Sequence, residues 1–428
     1  MTADFLRHLV AFSVIYPLMM TLIWCAGALL HYWNRERRRT VSAEDRDPPP
    51  PVSILVPCHN EESLIAETIA ALSKIEHPDY EVIAIDDGST DRTADVLDSL
   101  AVRHPFLRVI RQPSNQGKAA ALIAGARAAR HDLFVCVDAD ALLDPRAPAI
   151  FARALAADPG LGAVTGNPRV RNTGTLLGKL QSGEFSAIIA VIKRAQQWIA
   201  GRIFTISGVV CGFRREALAS VGWWSRDMAA EDIDITWKLN LAGWRTAYVP
   251  DALCRVLMPE TFRGLWRQRL RWAQGGCEVL LRHGARACQW SRRQVWPLFF
   301  ELVAGLLWSH AVAVALVVWL VTVWMGSPDG LTPGYELFPP WSRLAMGAAT
   351  VMQFAVGFFL DSRYEKGRRP YFVLVWYPLA YWIIGVSTSV AGFAIALLSS
   401  HRHRDAVWQS PDRGFLAAET ETEAEAES

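Results

Sequence analysis

Long apolar runs and short periodic ones divide this chain into two textures. Runs at 9–31, 298–325 and 371–398 reach the roughly 20 residues that a bilayer-spanning helix needs. A fourth, 344–360, is shorter but carries no charge before Asp361. The stretch 51–260 reads differently. PVSILVP is a short β-branched run ended by Pro57 and predicts a strand. NEESLIAETIAALSKI has apolar positions at helical spacing, and EVIAI predicts a second strand. Asp91 to Leu100 and GKAAALIAGARAAR predict helices, and LFVCV a further strand. Strands alternating with helices imply an α/β domain with a mostly parallel sheet covered on both faces.

The pattern divides the chain into six parts: a membrane helix at 1–33, a basic, Pro-rich linker at 34–50, and the α/β domain at 51–260. An interfacial helix region at 261–294, a bundle of about three spans at 295–398 and a tail at 399–428 follow. Charge orients them. RERRR, 35–39, follows the first run at once and no small-x-small cleavage site ends that run. An uncleaved anchor with a cytoplasmic C-terminal end fits, so 51–260 is expected in the cytoplasm. Counting spans puts 326–343 outside and RYEKGRR, 363–369, inside, but it also puts HRHR, 401–404, outside against its charge.

Composition agrees with a membrane protein. Hydrophobic residues make up 51% and there are 18 Trp, a residue that favours membrane boundaries; the mean hydropathy is +0.15. A net charge of +2 argues against a general nucleic-acid binder. The final ETETEAEAES has almost nothing to bury and is expected to be disordered. The seven cysteines form no CxxC pair and are expected as buried or half-buried free thiols in a reducing compartment.

The candidate chemistry sits where strands end in acids. EVIAI runs into Asp86 and Asp87; LFVCV runs into Asp138, Ala139 and Asp140. Ligands of open α/β sheets bind at the carboxyl ends of strands. Asp138 and Asp140 in one turn can reach one hard cation, Mg2+ or Mn2+, although solvated loop acids would look the same. In NQGK, Gly117 frees the backbone and Lys118 opens a helix, where the dipole favours anions. The P-loop spacing is absent. Glu231, Asp232 and Asp234 open the helix of AEDIDITWKL; capping accounts for some of them and leaves one as a candidate general base.

PCHNEE, DDGSTD, NQGK, DAD, AED and QRLRW, in this order, resemble the family 2 glycosyltransferases. Q-x-x-R-W at Gln268, Arg271 and Trp272 marks the membrane-embedded, processive branch, whose members make cellulose, chitin, hyaluronan and poly-N-acetylglucosamine. AVTGNPRVR, LMPET, WPLFFE and SPDRG bring the likeness nearest to the β-1,6-linked poly-N-acetylglucosamine makers, over about 50–414. The resemblance implies a GT-A-like nucleotide-sugar domain inserted between transmembrane helices. It implies inverting, processive transfer from UDP-N-acetylglucosamine into a biofilm exopolysaccharide, with assistance to export. Pro57, Glu61, Asp87, Lys118 and Asp138 would serve the donor, and Asp138 and Asp140 a divalent metal, Asp140 most directly. Asp232 would be the base, and Gln268, Arg271 and Trp272 would border diphosphate and acceptor. A multi-pass protein of the bacterial inner membrane is implied, with a small membrane accessory subunit and cyclic-di-GMP at their interface. The family's Thr-Glu-Asp is Ala230-Glu231-Asp232 here. A synthase of another β-linked polymer is the alternative within the class; outside it stands an inactive membrane transport or anchor protein, which would be expected to lose Asp140, Asp232 or Arg271.

On a helix, Gln268, Arg271 and Trp272 share one arc, while Phe262, Trp266, Leu270, Ala273, Cys277 and Leu280 gather opposite. This predicts an amphipathic helix with its apolar face in the headgroup boundary and its polar face toward the site.

Overall fold

The computed structural model describes residues 3–37, 47–325, 340–364 and 377–399. The basic run beyond Arg37, the loop 326–339, most of RYEKGRR, HRHR, SPDRG and the acidic tail lie outside the described residues.

Helix α1 (Ala3–His31) continues through a π turn, Tyr32–Glu36, toward the domain. The domain's first half alternates β1 (Val52–Cys58), α2 (Ile65–Leu72), β2 (Tyr80–Asp86), α3 (Thr93–Arg103), β3 (Leu107–Arg111), α4 (Lys118–Ala128) and β4 (Leu133–Val137). These four strands are parallel neighbours in the order β3-β2-β1-β4. The second half holds β5 (Leu142–Leu143), α5 (Ala147–Ala157), β6 (Leu161–Val170), α6 (Leu176–Glu184), α7 (Ala190–Ala200), β7 (Val210–Arg214), α8 (Arg215–Ser220), α9 (Glu231–Ala242) and β8 (Arg245–Val256). Strand β7 runs antiparallel between β4 and β6, and the sheet closes as β6-β8-β5. The eight-stranded sheet is therefore mixed, parallel throughout the half that repeats β-α.

Pro57 does not end its strand. It lies inside β1 opposite Ile85, and the ladder from β1 to β4 already stops at Leu55. A missing N–H is tolerated where the strand has one neighbour only. Alternation along β1 fills both faces. Ile54 and Val56 pack with Ile65, Ile69 and Leu72 of α2, while Leu55 packs with Leu122 and Ala126 of α4. Each such fully buried aliphatic side chain contributes about 1.5–3 kcal/mol.

Four helices are long and apolar enough to cross a membrane, over Arg7–Glu36, Trp290–Val321, Pro340–Asp361 and Trp382–Ser399. They belong to α1, to α11 (Trp296–Met325) with the 3-10 turn before it, to α12 (Pro340–Asp361) and to α13 (Tyr377–Ser399). The marginal run 344–360 is thus one helix of 22 residues.

The membrane helices touch the domain closely. A Cβ on Gly27 of α1 would stand 2.9 Å from Ala195 Cβ of α7, one on Gly357 of α12 2.4 Å from Ala187 Cα, and one on Gly392 of α13 2.8 Å from the Gln274 nitrogen. Small residues let helix backbones approach in this way. Buried ion pairs stand beside these contacts. Arg194 of α7 reaches Glu36 at 2.7 Å, and Arg169 of β6 meets Asp361 at the end of α12.

Helix α10 (Phe262–Ala287) carries Q-x-x-R-W. Its N-cap Thr261 accepts the Gly264 N–H at 3.1 Å. The apolar arc is shared out differently from the sequence expectation. Ala273 lies against Gly392 of α13, Cys277 is buried, and Leu280 packs with the cluster of Ile233, Trp237 and Leu298, while Phe262 remains exposed. Protein, rather than headgroups, covers much of that arc, because α10 is clamped between α9 and α13. On the α9 side a Cβ at Gly275 would stand 2.4 Å from Ala230 Cβ. Gly275→Val is expected to cost about 1–3 kcal/mol by overpacking and to displace the start of α9. A fall in the transfer activity that the resemblance implies, exceeding the loss of thermal stability in detergent, would register that displacement; full activity would deny the contact its importance.

Candidate active site

The loops after β1 and β2 are knitted together beneath α4. Asn60, held at φ 56°, accepts the Thr90 N–H at 2.8 Å, and Thr93 Oγ1 accepts the Glu61 N–H at 2.7 Å. Glu61 is itself buried at the turn opening α2. Asp87 is fully buried: its two oxygens accept the N–H groups of Gln116 and Gly117 at 2.9 and 2.8 Å. Burial raises the Asp87 carboxyl above its ordinary range, and those N–H groups pull it back. In this arrangement Asp87 fastens the loop of NQGK, and Pro57 lies buried in β1 one residue before Cys58 at the end of the strand.

Lys118, the first residue of α4, extends into the middle of an acidic group. Its Nζ lies 2.5 Å from Asp138 Oδ1, 3.4 Å from Glu231 Oε1 and 3.3 Å from the Gly208 carbonyl oxygen. Burial works against its charge, but Asp138 and Glu231 outweigh it and hold the amine well above the usual lysine range. Asp232, half-buried at the start of α9, accepts the Gly208 N–H at 3.0 Å and its neighbour's N–H, from Ile233, at 2.9 Å. Burial and then the charge of Glu231 push the Asp232 carboxyl up; Lys118, Arg271 and the Gly208 N–H work the other way. Glu231 moves oppositely, because Lys118 and Arg271 outweigh its burial. Two adjacent carboxyls are thus driven apart, the arrangement that separates a proton acceptor from a permanent anion. Gly208 leaves room at this point: a Cβ there would come 3.1 Å from Asp232 Oδ2 and 3.3 Å from Lys118 Nζ and would press on both groups.

Asp138 and Asp140 flank the buried Ala139, whose carbonyl accepts the Thr68 hydroxyl at 2.7 Å and so pins the turn after β4. An all-oxygen pair on a fixed turn fits a hard divalent cation. No group of three or more His, Cys, Asp or Glu positioned to hold a metal occurs among the described residues. Such a cation would need further oxygens from its substrate.

Q-x-x-R-W is organised by a residue between its marked positions. Arg269 donates to Gln268 Oε1 at 2.7 Å, to Glu184 Oε2 at 2.7 Å, and lies over the Trp272 ring at 4.3 Å. Arg271 is exposed and makes no side-chain hydrogen bond or ion pair among the described residues, though its charge reaches Glu231 and Asp232. The structure brings together Lys118, Asp138, Glu231, Asp232 and Arg271, while Pro57, Glu61 and Asp87, which the resemblance assigns to the donor, stand buried at the ends of β1 and β2. Sequence reading missed Arg269, Gly208 and the whole of α6 and α7. The only signal for Arg269 was its place one residue after Gln268; nothing in TISGVV marks Gly208.

Acids at strand ends, a glycine-opened helix that delivers a lysine between them, and helices able to cross a membrane define a membrane-anchored nucleotide-sugar transferase of GT-A type. The family described as "Glycosyltransferase like family 2" matches residues 49–275. The poly-beta-1,6-N-acetyl-D-glucosamine synthase of Staphylococcus epidermidis is 37% identical over 413 residues, 96% of this chain and 99% of that protein. The protein of the same name from Staphylococcus aureus (strain COL) is 39% identical over 407 residues, 94% and 98% of the two chains. Among solved structures, a mannosyltransferase from Pyrobaculum calidifontis in complex with GDP-Man and Mn2+ aligns with TM-score 0.64 at 24% identity, covering 92% of this chain and 100% of that one. The chain belongs to glycosyltransferase family 2.

Proposed function

We propose that this protein polymerises N-acetylglucosamine from UDP-N-acetylglucosamine into a β-1,6-linked exopolysaccharide at the bacterial inner membrane. The observation that carries this reading is the pairing of Lys118 with Asp138 and Glu231, with Asp232 beside them, next to α10, the helix that also packs on α13. Similarity to the staphylococcal synthases along nearly the whole chain supports the choice of sugar and linkage.

The donor's diphosphate would lie between the turn of Asp138 and Asp140 and the exposed Arg271. Asp138 and Asp140 would hold Mg2+ or Mn2+, which neutralises the charge that develops on UDP as it leaves. Arg271 would add a positive charge on the other side. Asp232, with its raised affinity for a proton, would accept the proton of the acceptor hydroxyl as it attacks. One displacement inverts the anomeric centre, so an α-linked donor yields a β-linked product. Trp272, with Arg269 on one face, would present its remaining surface to the acceptor sugar.

The basic residues after α1 support a cytoplasmic domain and a multi-pass topology. The growing chain would leave through the bilayer along the membrane helices. A small membrane accessory subunit, with cyclic-di-GMP at their interface, remains part of the proposal through the family resemblance alone.

Membranes containing the protein are expected to release UDP from UDP-N-acetylglucosamine with Mg2+ or Mn2+, and to stop when the metal is chelated. Release from UDP-glucose alone would reject the sugar assignment. Unchanged release after exhaustive chelation would reject the metal.

A further inference from the structure

Helix α7 reaches the site from the membrane side. Its successive polar residues bind different elements. Arg194 pairs with Glu36 at the end of α1, Gln196 donates to both oxygens of Glu301 in α11 at 3.1 Å, and Gln197 accepts the Tyr248 N–H of β8 at 2.7 Å. Lys193 is 5% exposed and makes no ion pair among the described residues. Its Nζ donates to Ser207 Oγ at 2.7 Å.

Ser207 belongs to the turn that holds the base. Thr165 Oγ1 accepts the Ser207 N–H at 2.8 Å, and Thr236 Oγ1 accepts the Ile206 N–H at 3.1 Å. The next residue, Gly208, donates its N–H to Asp232. A buried ammonium without a carboxylate partner is costly, and its one bond here goes to the turn one residue before the donor to Asp232.

We propose that Lys193 is a positioning residue for the proton-accepting step: through Ser207 it fixes the Gly208 N–H against Asp232, and its charge favours the ionised carboxylate. The inference rests on the reading of Asp232 as base. Burial brings the Lys193 amine down to about 8, so it is charged across the acid range in which Asp232 loses its proton. The other charged or titratable groups around the pair are Lys118 on α4, Glu231 on α9 and Arg271 on α10. Cys211 on β7, Tyr248 on β8 and Arg194 on α7 also stand near; the Tyr248 ring lies 5.9 Å from Lys193 Nζ and 5.2 Å from the Arg194 guanidinium, and burial pushes the Cys211 thiol up.

The sign of the pH effect follows. Removing a positive charge near Asp232 raises its pKa, so the acid limb of the rate profile moves to higher pH. Lys193→Met, in full-length protein in membranes with UDP-N-acetylglucosamine, is expected to lower kcat about 10–100-fold with KM within about twofold. Its acid limb should move up by at least about half a pH unit. A risen KM with kcat held, or a limb that stays in place, overturns the inference. If Lys193→Met no longer binds UDP, Ser207→Ala is read instead: it keeps the charge and cuts the bond. A severalfold lower kcat at constant KM supports the inference, and unchanged kcat overturns it. Asp232→Asn separates the two levels. If that variant is active, the base reading falls and the inference with it; if it is dead while Lys193→Met behaves as wild type, the inference falls alone.

Discussion

Asp232→Asn is expected to bind UDP-N-acetylglucosamine as the parent does and to form polymer about 10²–10⁴-fold more slowly. The substitution keeps shape and keeps an oxygen to accept the Gly208 N–H, which the carboxylate meets at 3.0 Å. It removes the ability to take a proton. It also removes a negative charge beside Glu231 and Lys118, a pair 3.4 Å apart that remains intact. Donor binding, read by calorimetry with UDP, therefore should survive. A loss confined to kcat identifies an interaction made in the transition state. Polymer formed at more than a tenth of the parental rate would remove Asp232 from the base role and direct attention to Glu231. Glu231 is the poorer candidate on physical grounds, since Lys118 and Arg271 stabilise its ionised form and weaken it as a base.

Arg194→Met is expected to lower stability by about 3–5 kcal/mol, because it leaves Glu36 buried without its guanidinium. Arg194 is completely buried and grips Glu36 through Nε at 2.7 Å and Nη2 at 3.2 Å. His31 Nδ1, 3.0 Å from Glu36 Oε1, offers partial compensation. The double variant Arg194→Met/Glu36→Gln should recover much of the loss, since the cost lies in the orphaned charge more than in the missing bridge. Thermal unfolding in detergent would measure both. A single variant as stable as the parent would mean that water reaches Glu36 at this junction.

The β-α half of the domain was legible because its strands are short apolar runs between amphipathic helices, and that periodicity is local. LFVCV at 133–137 matches β4 residue for residue. The second half was harder to read. Strand β6 contains Gly162, Gly166, Asn167 and Pro168, which argue against a strand locally; ten consecutive buried positions show that tertiary packing overrides them. Lys118, Asp138 and Asp232 were legible as chemistry, being charges at strand ends and helix starts. Their convergence was not: the ion pair of Lys118 with Glu231 joins residues far apart in sequence. The bonds that Asp87 accepts from the Gln116 and Gly117 N–H groups were not legible either, because those residues lie about thirty positions further along the chain. Lys193 and Arg269 stayed hidden for another reason, since a basic residue in an amphipathic helix ordinarily faces water.

The three glycine contacts at Gly27, Gly357 and Gly392 have a mechanical meaning. Backbones that meet without side chains between them have little compliance, and buried ion pairs at Glu36 and Asp361 bolt the same seams. The catalytic domain and the membrane helices therefore load one another as a single stiff frame. In such a frame, the advance of the polymer proposed above would be carried by local shifts of loops and side chains, and the distance from Asp232 to the membrane helices would act as a fixed gauge.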